Sequence, residues 1–206
     1  MESDSKTQAH LSIRQRVKGL PYFGGPREGG STNHGFQLLK NSGLAVDSIP
    51  EASDEPSILR LLEILNAADS PFLSLGCEKV LTENDGRWFK RGYIEFTIDS
   101  IEIAGDARSS FFVFYQFDKY LNQVHFNEPI TFHFELEGNA LDRVNAAIYS
   151  VICWITTNTW TDSPEETNLL WAKGVDVLAT FFQTMRGEEV AGTRISAMVK
   201  SVPFEC

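Results

Sequence analysis

The side chains with the most chemical potential in this chain are His125, His133 and Glu135. His133 and Glu135 stand two apart, and residues two apart on a strand share a face. Two imidazoles and a carboxylate are ligands of the kind that hold a divalent metal. His125 joins them only if its segment pairs with theirs, and the intervening Asn127-Glu128-Pro129 leaves that pairing open. An HxE spacing is also the pattern of a solvated sheet face. That plainer reading is preferred, so no metal and no cofactor is expected.

Cys77 is the second candidate. A thiolate nucleophile needs a neighbouring base and a lowered pKa. The run Ser74-Leu75-Gly76-Cys77-Glu78 carries no nucleophile signature, and the chain has no GxSxG elbow. The glycine-rich run GGPREGG at 24–30 lacks the GxxxxGK[ST] spacing of a phosphate loop. Paired acids come next. Glu135 and Glu137 share the polar side of a strand pattern, and Glu165 and Glu166 follow a helix-start signal. Exposed carboxylates keep their ordinary pKa and make poor general acids. No catalytic residue is assigned, and the reading leans away from an enzyme.

The same acids read better as a surface. The formal net charge is −10 and the sequence pI is about 4.9. Nucleic-acid binding needs Lys and Arg to neutralise phosphates, and anionic membranes need the same, so neither is expected as a direct partner. A basic protein partner suits the charge, as does plain solubility. Acids outnumber bases between residues 126 and 189, whereas residues 1–30 are mildly basic. Glu135, Glu137, Asp162, Glu165 and Glu166 are the expected partner-binding residues. The function expected is that of an acidic, non-enzymatic protein-binding module, an inhibitor or immunity-type antagonist that masks a basic surface. One alternative is a small-ligand binder or enzyme with an aromatic pocket between sheet and helices. Another is a structural subunit that wraps a neighbour with its N-terminal arm.

These residues must be positioned by a fold of 206 residues with 15 Phe, enough for one real core. The sequence divides into an irregular Gly/Pro-containing arm at 1–50, where Leu11, Ile13 and Val17 hint at contact with the body, and an α+β domain at 51–206. Asp54-Glu55-Pro56 opens a helix near 56–68 with Ile58, Leu61, Leu62 and Leu65 inside. Asn84-Asp85-Gly86 is hairpin chemistry, since Asp-Gly accepts positive φ cheaply. Ile94, Phe96 and Ile98 alternate with polar residues, and a bulge near Asp99 would explain Ile101 and Ile103 changing phase. Phe111–Phe117 is apolar on both faces and reads as a central strand. Ile130, Phe132, Phe134 and Leu136 alternate with Thr131, His133, Glu135 and Glu137, a strand packed on one side.

Asn139 reads as an N-cap, with Asp142 in the first turn of a helix at 140–156. Leu141, Val144, Ala147, Ile148, Val151, Ile152 and Ile155 form its stripe. Ser163, Pro164 and Glu166 make a capping box for a helix at 164–186. Arg194–Val202 reads as a last strand. The fold expected is therefore an antiparallel sheet of four to five strands with two C-terminal-half helices on one face. Cys77, Cys153 and Cys206 are odd in number without CxxC spacing, which suits a reducing compartment. The N-terminal segment MESDSKTQAHLS has no apolar h-region and no run spans a bilayer, so a cytoplasmic location is expected.

Overall fold

The computed structural model describes residues 7–20, 22, 24–26, 32–141, 146–189 and 191–200. Arg27–Gly30, Asp142, Val144, Val202, Cys206 and the side chain of Val17 lie outside this description. The chain runs β1 (Gln8–Leu20), β2 (Gly25–Pro26), β3 (Thr32–Asn33), α1 (Pro50–Ser53), α2 (Pro56–Leu65), β4 (Phe72–Asn84) and β5 (Arg87–Ile98). It continues through α3 (Ile101–Ala104), α4 (Ala107–Gln123), β6 (Ile130–Leu141), β7 (Ala146–Thr157), α5 (Pro164–Thr184) and α6 (Ile195–Lys200). The fold is α+β, built on a five-stranded sheet of order β1-β6-β7-β5-β4. Two hairpins, β4–β5 and β6–β7, meet through their second strands.

The sheet is mixed, because β1 runs parallel to β6. The expected irregular arm thus contains a long strand. Leu11 packs on the main core, whereas Ile13 is 61% exposed. The expected central strand at 111–117 is instead the middle of α4. Asp106 caps that helix by accepting from the Arg108 N–H, and Val113, Phe117 and Leu121 recur every four residues as its buried stripe. Of the expected helix at 140–156, residues 140–141 end β6 and residues 146–156 lie in β7. Its side chains are buried on both sides, so the apolar run matches helical spacing by chance, and its β-branched residues suit a strand. Asn139 is accordingly buried within β6 and caps nothing. In place of the expected bulge, β5 ends at Ile98 and α3 follows, capped by Ser100 accepting from Ile103. The segment from Arg194 enters α6 rather than a last strand.

Other expectations hold. Asp85 and Gly86 both have positive φ at the β4–β5 turn. Ser163 accepts from the Glu166 N–H at 3.1 Å and starts α5. Ile58, Leu61, Leu62 and Leu65 are buried on α2.

Helices α2, α4 and α5 cover one face of the sheet. Phe117 packs on Phe132 with ring centroids 5.0 Å apart, and Phe114 on Phe134 at 5.4 Å. Phe72, Phe96 and Phe182 close a second aromatic group, with centroids 4.8–5.9 Å apart. These rings pack on one another as core between sheet and helices. Gly92 lets α5 approach: a Cβ there would stand 2.7 Å from the Trp171 ring and 2.5 Å from the Glu78 carbonyl oxygen. Trp171 Nε1 donates to the Ile155 carbonyl at 2.9 Å. A smaller core, including Leu20, Phe36, Leu73, Leu75, Ile148 and Ile195, covers one end of the opposite face. Among the described residues no helix is long and apolar enough to cross a membrane.

Candidate functional sites

On the face away from the helices, cross-strand register sorts the side chains into rows. Arg91, Thr156 and Thr131 stand in one row. The next holds Tyr93, Trp154, His133 and His10, and the next Glu95, Ile152, Glu135 and Ser12. His133 and Glu135 therefore do share a face, as their spacing demands. His125 does not join them. It follows the end of α4 with φ of 52°, exposed. Among the described residues, no three His, Cys, Asp or Glu side chains are placed to hold a metal ion.

This face grades from dry to open. Next to the smaller core, Glu95 is buried and its carboxylate pairs with Lys18. Glu95 also accepts from Ser150 Oγ at 2.8 Å, and Asn139 Nδ2 donates to Ser150 Oγ at 2.7 Å. The Asn139 side-chain oxygen is buried with no hydrogen-bond donor among the described residues. Further along, Glu135 Oε2 accepts from Arg14 at 2.7 Å and from Trp154 Nε1 at 2.8 Å. Ser12 Oγ lies 2.8 Å from His133 Nε2. That is the spacing of a hydroxyl nucleophile and its base. The other imidazole nitrogen has no hydrogen-bond partner among the described residues, so no third group orients the pair as a triad would. Beyond these residues the face opens into a groove of about 410 Å³, lined by Arg14, Arg91, His133, Trp154 and Thr156 among others.

The five acids expected to form one patch divide. Glu137 is only 4% exposed and Glu135 is held by Arg14 and Trp154, so the strand pair is not a free wet surface. Alternation along β6 correctly gave their face but could not reveal that β1 and its cations lie alongside. Asp162, Glu165 and Glu166 are exposed at the start of α5. Helix α5 packs on the other face of the sheet, so the two groups point to opposite sides. Asp162 and Glu166 border a groove of about 830 Å³ that also includes Trp160, Leu169 and Glu128.

Cys77 lines a cleft of about 50 Å³ with His34, Glu51 and Tyr93. Burial, and next the charge of Glu51, push its thiol up to about 12, so it stays protonated and weakly nucleophilic. Buried lysines elsewhere are closed off by their partners. Lys90 pairs with Glu55 at 2.5 Å, donates to Asn168 Oδ1 at 2.9 Å and lies over the Trp171 ring. Lys40 donates to the carbonyls of Ser70 and Phe72 and pairs with Asp99 at 3.1 Å. Asp99 in turn accepts from Ser196 and Arg194. The lysines and Asp99 in these clusters are buried and hydrogen-bonded, which suits a structural role.

The surface that sequence reasoning missed is on α4. Its outer side carries Phe111, Phe112 and Tyr115, with Phe112 54% and Tyr115 61% exposed. Beside them a groove of about 380 Å³ is floored by Phe72, Ile98, Ile103, Val113 and Met185. Arg108, Glu188 and Glu189 stand at its rim. Arg108 is neutralised by Asp106 at 2.6 Å, whereas Glu188 and Glu189 have no ion-pair partner among the described residues. The two-sided apolar pattern at 111–117 was the available signal: one side of a helix fills the core and the other is left over. Comparisons with protein-family models, with curated proteins and with solved structures find no match for this chain.

Proposed function

We propose that the protein is an acidic, non-enzymatic module that binds, and so masks, a basic segment of a protein partner. The observation that carries this reading is the exposed aromatic side of α4 beside an apolar groove with acids on its rim. Contiguous exposed apolar surface rimmed by polar residues marks interaction sites. Interfaces combine an apolar centre with a polar rim, and aromatic anchors carry much of their energy. The partner segment would insert an apolar side chain between Phe112 and Met185 and set a Lys or Arg against Glu188 and Glu189. Asp162, Glu165 and Glu166, with the overall charge of −10, would speed encounter with such a partner rather than hold it.

Panning of a random peptide library against the full chain tests this. Enriched peptides should pair an apolar or aromatic residue with Lys or Arg nearby. They should lose at least tenfold in affinity to Phe112→Asp and become less salt-dependent with Glu188→Lys plus Glu189→Lys. Acidic consensus peptides, or binding indifferent to Phe112→Asp, would reject the proposal.

A further inference from the structure

We propose a second site, independent of the α4 surface: the groove on the open sheet face binds a small oxyanion carried on a flat ring. The argument starts from hydrogen-bond supply. Arg91 brings a guanidinium with five N–H donors, and it has no ion-pair or hydrogen-bond partner among the described residues. Thr156, directly across from it, adds a hydroxyl that is likewise unpartnered. The one carboxylate in the groove, Glu135, has its Oε2 taken by Arg14 and the Trp154 N–H, which leaves Oε1 as its remaining acceptor against the five N–H groups of Arg91 and the Thr156 hydroxyl. Donors therefore exceed free acceptors, and the complementary ligand is rich in acceptors.

Charge agrees with this. Arg14 and Arg91 against Glu135 leave the groove net positive in a chain of net charge −10. Arginine forks match carboxylate and phosphate oxygens two at a time. The flat part follows from the neighbouring row, where the Tyr93 and Trp154 rings lie 4.9 Å apart and Trp154 lines the groove. An indole wall beside a guanidinium gives a planar ring a stacking surface while its oxyanion meets the cation. Carboxylate and phosphate share this chemistry.

Calorimetric titration of the full chain with benzoate and with phenyl phosphate tests the site, with inorganic phosphate and benzylamine as controls. At least one of the two ring-bearing anions should bind saturably with a Kd of about 1 mM or tighter. Whichever binds better tells which oxyanion the groove prefers. Arg91→Gln should weaken that binding at least tenfold, Thr156→Val less, and Arg108→Gln not at all. Thermal melts check that each variant folds, and Thr156→Val serves if Arg91→Gln does not. Failure of both ring-bearing anions to saturate would overturn the proposal, as would equal binding to folded Arg91→Gln. Inorganic phosphate binding as tightly as phenyl phosphate would overturn the ring's part in it, and so would benzylamine binding as well as benzoate.

Discussion

On the helix-covered face of the sheet the buried cation Lys90 is enclosed by Glu55, Asn168 and Trp171, whereas on the opposite face Arg91, the next residue in β5, reaches open groove with no partner among the described residues. Neighbouring residues of one strand thus have opposite fates, set only by which way the pleat turns them. The enclosed cation holds three elements in one geometry. The free one leaves donors over for something outside the chain. Burial with full partnering marks a joint of the fold, and surplus hydrogen-bonding capacity at an opening marks recognition.

The comparison breaks first where packing is densest. Trp171→Ala removes a wholly buried indole and the ring beneath Lys90. It should cost about 3–5 kcal/mol, the range for large aromatic deletions in cores, read as a fall in the urea midpoint. A loss like that of a surface substitution would mean that α5 is not the anchor of the helical layer. On the opposite face, Lys18→Met leaves the buried Glu95 carboxylate without its cation. Breaking one side of a buried pair costs about 3 kcal/mol or more, and Lys18→Met plus Glu95→Gln should recover part of it. No recovery would show that Lys18 acts through packing on Tyr22, whose ring lies 4.6 Å from its ammonium.

Titration sharpens the contrast with a smaller effect. Burial holds Lys40 and Lys90 below the ordinary value of 10.5, with Asp99 and Glu55 respectively opposing the shift. Each group gives up its proton at lower pH in the folded chain than in the unfolded one. Between those two values the unfolded chain binds more protons, so stability should rise with pH from the lowered folded value toward 10.5. Lys40→Met should flatten that rise in urea midpoints measured across the alkaline range. An unchanged slope would place the titration elsewhere. Least of all, Phe112→Asp should change stability by less than about 0.5 kcal/mol, as exposed substitutions do. A large loss in thermal unfolding would make Phe112 a core residue rather than a binding one.

The parts legible in the sequence were those with short-range signals. The Asp85-Gly86 turn, the Ser163–Glu166 cap, the α2 stripe and the alternation of β6 each declare themselves within a few residues. The exchanged elements did not. Phe111–Phe117 is apolar at nearly every position, so strand and helix periods fit it equally, and the decisive cap at Asp106 lies before the run. The stretch at 146–157 is buried on both faces, which erases alternation, and only its Ile, Val and Thr content speaks for a strand. The candidate site was half legible for a different reason. His133 and Glu135 were visible as a pair, but Arg14 comes from β1 and Arg91 from β5. Their approach depends on strand order, which local pattern does not encode.

The parallel pairing of β1 with β6 has a consequence in time. Ser12 and His133, which touch across that pairing, are separated by 121 residues. At about 5–20 residues per second, a ribosome takes about ten seconds to make the intervening chain. During that interval β1 has no β6 to join, while the β4–β5 hairpin can already close locally. Closing so long a loop is slow, so β1 should dock last onto an edge prepared by β6. Until it does, that edge is open to the same strand of another nascent chain, and exchange of β1 between copies is the misassembly this topology invites.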